Sequence, residues 1–156
     1  MEEQSTQPTL IQHTLKWGLI AGAVSILLVV LMYVIDYTMM VQFKFLLVSL
    51  AISLGVVIYA GIDYRNSVGG FLSYGQAWVH GILMMAISGV IYTVFNILMH
   101  YVIDPELAGK LTEATLENTR EMMEGFGAPE DQIDKAMEDA RGRTANQFTI
   151  GGMALG

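Results

Sequence analysis

The chain has no cysteine, so disulfides, thiolate metal sites and a cysteine nucleophile are excluded. Basic residues are few, eight against fifteen acidic ones, for a formal charge of −7. No basic stripe exists to displace phosphate counterions, which argues against a nucleic-acid partner. There is no Walker-type glycine loop, no GxSxG and no Ser/His/Asp set suited to nucleophilic catalysis. No HExxH or carboxylate–histidine cluster occurs, and the three histidines, His13, His80 and His100, stand far apart in the chain. The acidic segment after residue 104 lacks the alternating Asp/Asn pattern and central glycine of a calcium loop. These absences point to a protein that is not an enzyme and carries no cofactor or metal.

Charge is also missing from three long windows, and there the absence becomes a signal. The chain is 53% hydrophobic with a mean hydropathy of +0.48, and its charged residues cluster outside those windows. That distribution marks membrane-spanning helices. Residues 1–14 read as a polar tail, containing Glu2, Glu3 and Pro8. Lys16 and Trp17 mark an interface, one snorkelling and one suited to the headgroup region. Gly18–Ile35 carries no charge and is long enough to cross roughly 30 Å of hydrocarbon. A signal peptide is the rival reading. The run is long for one, and Met32–Asp36 is bulky where a small-residue cleavage site is required. Asp36–Lys44 is a short turn, Phe45–Ile62 a second span, and Asp63–Ser73 a connection with turn chemistry at Asn66-Ser67 and Gly69-Gly70. Ala77–Val102 is a third span, about 39 Å if fully helical.

The negative charge is local. Residues 104–143 hold eleven acids against five bases, a formal −6. Asp104-Pro105-Glu106 is a helix-start signature, with Asp104 as the cap. Leu107, Leu111, Ala114, Met122 and Phe126 mark one apolar stripe, and Gly125-Phe126-Gly127 ends it. Pro129-Glu130-Asp131 opens a second helix lined by Ile133, Ala136, Met137 and Ala140. Residues 144–156 turn apolar again. The expected architecture is an all-α integral membrane bundle. Residues 15–103 form three full transmembrane helices, 104–143 an acidic extramembrane amphipathic hairpin, and 144–156 the start of a truncated fourth transmembrane helix.

Along the third span Gln76, His80, Met84, Ser88, Tyr92, Asn96 and His100 recur at every fourth residue, winding slowly round the helix. Polar groups at membrane depth should face protein or water. A transport path is one reading of this row. Interhelical hydrogen bonding is the favoured one, because no buried carboxylate or lysine accompanies the histidines. Small residues supply candidate helix-packing faces, with Gly18 and Gly22 as a GxxxG pair in the first span and Gly81 and Gly89 in the third.

Gly70-Phe71-Leu72-Ser73-Tyr74-Gly75-Gln76-Ala77 resembles the start of the third span in domain of unknown function 4199, a bacterial family of uncharacterised membrane proteins. Tyr92–Asn96 and the run Tyr101–Glu106 resemble that family's aromatic-Asn stretch and Ile-Asp-Pro exit. The resemblance implies a four-span protein of the bacterial cytoplasmic (inner) membrane, with a hairpin between spans three and four. It implies no chemistry. The shortened fourth span and the single basic residue, Arg65, of the second connection depart from the pattern. The expected function is a small multi-pass, non-enzymatic scaffold or accessory subunit, with a small transporter or channel as the alternative. Its expected surroundings are the lipid bilayer and a homo-oligomeric or membrane-protein partner.

Overall fold

The computed structural model describes residues 9–155. The first eight residues of the expected polar tail, Pro8 among them, and Gly156 lie outside the described residues. Every regular element among the described residues is helical: α1 (Leu10–Asp36), a 3-10 turn (Tyr37–Val41), α2 (Phe43–Ser67), α3 (Tyr74–Leu98), a π-helical turn (Met99–Ile103), α4 (Leu107–Gly125), α5 (Glu130–Gln147) and α6 (Ile150–Leu155).

Three stretches, Leu10–Val41, Phe43–Ser67 and Tyr74–Ile103, are long and apolar enough to cross a membrane. Only 17%, 6% and 11% of their most apolar windows is buried within the protein. Most of their Leu, Ile and Val side chains therefore face outward, a surface that hydrocarbon solvates and water does not. A helix suits that solvent because it satisfies its own backbone groups.

The first helix begins earlier than its apolar run. Thr9 and Gln12 form a reciprocal capping box: the Thr9 amide donates to Gln12 Oε1 at 3.1 Å and the Gln12 amide donates to Thr9 Oγ1 at 3.3 Å. Residues 10–14, expected in the polar tail, are instead the opening turn of α1. At the other end, Asp36 Oδ1 accepts from both the amide (2.9 Å) and the hydroxyl (2.8 Å) of Thr38, turning the chain into the 3-10 segment.

Helices α2 and α4 end alike. The Gly70 amide reaches back to the Arg65 carbonyl at 2.9 Å and the Gly69 amide to that of Asn66 at 3.4 Å. After α4, the Ala128 and Gly127 amides reach the carbonyls of Met123 (3.0 Å) and Glu124 (2.9 Å). Gly69 (φ 93°) and Gly127 (φ 75°) take the left-handed conformation that this termination requires.

The chain divides into two compact units. One takes the chain up to Leu28 together with Val48–Tyr92. Its core is Trp17, Ala60 and Met84, flanked by Ala21, Val56 and Val57. In it α1 lies directly on α3. A Cβ on Gly18 would stand 2.7 Å from Ile87 Cγ2, and one on Gly22 2.9 Å from Ile91 Cγ2. The GxxxG pair thus receives two isoleucines spaced four apart on the facing helix.

The other unit takes Val29–Leu47 and the chain from Thr93. Met99, Leu107 and Leu111 form its core, with Tyr33, Met40, Val41, Phe95 and Phe148 packed around them. Helix α4 packs on α5 and on the 3-10 turn. Leu107, Leu111 and Leu116 are its buried residues. Met122 and Phe126, expected on the same stripe, are exposed, Phe126 at 85%. In α5, Ile133 is buried as its spacing predicts.

Candidate functional site

The densest polar constellation lies in the first unit. Helical spacing puts His13, Lys16 and Trp17 on one face of α1, at i, i+3 and i+4. All three reach one carboxylate oxygen of α2. Trp17 Nε1 donates to Asp63 Oδ2 at 2.8 Å, His13 Nε2 lies 3.1 Å from the same atom, and Lys16 Nζ lies 3.4 Å from it. On its other side, His13 Nδ1 lies 2.9 Å from Nε2 of His80 on α3. The result is an Asp63–His13–His80 chain joining three helices.

The chain has a direction. An ionised carboxylate only accepts, so His13 Nε2 donates to Asp63. In the neutral ring Nδ1 is then an acceptor, and His80 Nε2–H supplies the proton. Tyr64 stacks on His80 with centroids 4.7 Å apart and planes within 7°, and its ring lies 4.9 Å from that of His13. His13 and His80 are buried, whereas the Asp63 side chain is 39% exposed. One end of the chain is open and the other closed. Beyond His80, one turn along α3, the buried Met84 belongs to the apolar core.

A second polar group lies in the other unit, around Asp104. Tyr33 Oη donates to Oδ2 at 3.2 Å, Lys110 Nζ lies 3.2 Å from Oδ2 and 3.4 Å from Oδ1, and the Glu106 amide donates to Oδ1 at 3.1 Å. Burial pushes the Asp104 carboxyl up. The bonds from Lys110 and Tyr33 outweigh it and hold the group below its ordinary value. The hydrogen bond to Asp104 likewise raises Lys110. Asp104 accepts from an amide at the start of α4, as a cap does, but that amide is the one two residues on. Glu106 occupies the formal cap position and makes no side-chain cap bond. Nearby in sequence, His100 sits in the π-helical turn. Its Nδ1 bonds the Asn96 carbonyl at 2.9 Å, its ring stacks on Phe148 at 5.6 Å, and its buried Nε2 has no hydrogen-bond partner among the described residues.

Over residues 16–156 the chain matches the family described as protein of unknown function (DUF4199). It belongs to that family. No curated protein and no solved structure matches it.

In this DUF4199 protein the polar row of α3 does not act as one set. Gln76 is exposed and completes a second capping box, its Oε1 3.3 Å from the Ser73 amide and its own amide 3.3 Å from Ser73 Oγ. Ser88 turns back to the Met85 carbonyl at 3.1 Å. Tyr92 is 41% exposed, Asn96 is buried, and each interacts within the protein. Only His80 joins the constellation on α1 and α2. One finding goes beyond the sequence: His13 and His80, 67 residues apart, meet. The carboxylate and lysine beside them are not buried, the Asp63 side chain being 39% and that of Lys16 60% exposed. The packing glycines also divide. Gly18 and Gly22 are in tight contact, while a Cβ on Gly81 or Gly89 would meet nothing within 4 Å. Gly81 instead lines an open apolar groove of about 300 Å³ with Val57, Ala77 and Trp78. Among the described residues no three His, Asp or Glu side chains converge as metal ligands.

Two signals for the constellation were available in the sequence. Thr9-x-x-Gln12 announces a helix that already includes residue 13, and His13-x-x-Lys16-Trp17 places three hydrogen-bonding groups on one helical face.

Proposed function

We propose that the protein is a multi-pass helical scaffold or accessory subunit of the bacterial cytoplasmic membrane, without enzymatic activity. The observation that carries this reading is how the polar and small residues of the spans are used. Gly18 and Gly22 admit Ile87 and Ile91, and Asp63, His13 and His80 tie α1, α2 and α3 together. These groups are spent on holding helices to one another. On this reading α4 and α5 form an extramembrane hairpin, negatively charged on its solvent face, between the third span and the apolar turns of α6. The outward-facing groove at Gly81 supports a helix–helix contact with a membrane-protein partner or a second copy.

The alternative, a small transporter using the α3 row, draws support from the titratable chain ending at His80. Ion-coupled carriers place such groups near the midplane, whereas His80 lies in the second turn of the span Tyr74–Ile103, which weakens this reading. Two measurements separate the readings. Affinity purification in mild detergent should recover an oligomer or a stoichiometric membrane partner, and a lone monomer would count against the scaffold. Proteoliposomes containing the purified protein should show no flux beyond empty vesicles. Flux abolished by His80→Ala or Asn96→Ala would establish the transporter.

A further inference from the structure

We propose that Asp63, His13 and His80 form a binding site for a single proton, in which the α1–α3 hydrogen bond survives the first protonation and is broken by a second. The proposal rests on donor and acceptor counts in a chain whose members are fixed on three different helices. With both rings neutral, each link has one donor and one acceptor: His80 Nε2–H to His13 Nδ1, and His13 Nε2–H to Asp63 Oδ2.

One proton can be added without loss. With its charge on His13, it makes an imidazolium 3.1 Å from a carboxylate, a charge-assisted bond. His13 Nδ1 then becomes a donor. The balanced step passes the His80 Nε2 proton across the 2.9 Å link to His13 Nδ1 while the added proton is bound at His80 Nδ1, so that His80 stays neutral and its Nε2 becomes the acceptor. The link between α1 and α3 reverses direction and persists. A second proton has no such accommodation. Both facing nitrogens would then carry hydrogens, and two positive rings would stand with centroids 5.0 Å apart.

The surrounding groups favour this limit of one. On α1, Lys16 already places a positive charge 3.4 Å from the oxygen that balances His13. On α2, Asp63 is the carboxylate in contact, and Tyr64 presents a ring face to His80 rather than a second anion. On α3, the core residue Met84 follows His80 with an uncharged thioether side chain. Of the three members, Asp63 is the one that meets the surroundings, its side chain 39% exposed while both rings are buried.

The test is imidazole nitrogen NMR on the full chain in detergent micelles, titrated from about pH 8 to pH 4 across the range in which histidines ordinarily change charge. The wild-type protein should show His13 and His80 titrating as a pair, in two steps more than about tenfold apart in proton activity. A scalar coupling between His13 Nδ1 and His80 Nε2 should survive the first step and vanish at the second. His80→Gln keeps a hydrogen-bonding side chain and should leave His13 with one step. Asp63→Asn should make the first step require at least about ten times the proton activity, the equivalent of one pH unit. Single, independent steps at His13 and His80 in the wild-type protein would overturn the proposal, as would a His13 titration unmoved by His80→Gln. The wild-type measurement decides the matter even if a variant does not fold.

Discussion

Asp104 shows how one side chain makes stability depend on pH. Its carboxyl is held below its ordinary value in the folded protein, chiefly because the bonds from Lys110 and Tyr33 outweigh the effect of burial. The unfolded chain therefore takes up the proton first as the solution is acidified. The stabilisation from Asp104 is complete above the ordinary carboxylate range, near pH 4, and is lost as pH falls through the lower folded-state value. Asp104→Asn should lower the Tm at pH 7 and flatten its fall below about pH 4 relative to wild type. Thermal melts in one detergent at a series of pH values check this, and parallel curves for the two proteins would rule it out. This residue was legible in the sequence as a helix cap, because Asp-Pro-Glu is a local signal. Its partner Tyr33 was not, since the two are 71 residues apart and nothing local in α1 announces the pairing. The same limit hid Asp63 from His13. Asp63 looked like an isolated charge at a span boundary and His13 like part of a polar tail, and only three-dimensional packing supplied the neighbour.

Among the helices, glycines that look equivalent in sequence are not equivalent in space. Gly18→Ala would drive a methyl group to within 2.7 Å of Ile87 Cγ2 and 3.3 Å of the Met84 carbonyl. The expected cost is about 1–3 kcal/mol. Pairing it with Ile87→Ala should restore part of that loss as a positive coupling in a double-mutant cycle. Gly81→Ala and Gly89→Ala meet open space. Each should leave stability unchanged or raise it by about 0.5–1 kcal/mol through helix propensity. Denaturant titrations of the wild type and these five variants check both statements, and a larger loss at Gly81 than at Gly18 would contradict them. The spans themselves were legible because charge-free length is a one-dimensional property. Which small residues touch a neighbour was not, because it depends on how each helix is rotated about its axis. The start of α1 was missed for another reason: polar residues in a first helical turn resemble a tail until the capping box is counted as structure.

For the molecule as a whole, the decisive quantity is how little of its apolar surface it covers itself. With 17% or less of each apolar window buried, the chain relies on hydrocarbon around it. Alkaline carbonate washing of membranes should leave the protein in the pellet, and only detergent should release it. Recovery in the carbonate supernatant would refute membrane integration. Family membership and the helical class were readable from sequence, since both rest on long stretches of local pattern. The division into two packed units was not, because each gathers segments from distant parts of the chain.

The three-donor arrangement on Asp63 also bears on the order of synthesis. His13, Lys16 and Trp17 emerge from the ribosome first, about 50 residues before the carboxylate that gathers them and, for His13, 67 before His80. A first helix inserted alone has its hydrogen-bonding face unsatisfied until α2 arrives, and His13 waits for α3 as well. The packing of α1 is thus completed only by parts of the chain made after it, and the contact between His13 and His80 cannot form until residue 80 is in place.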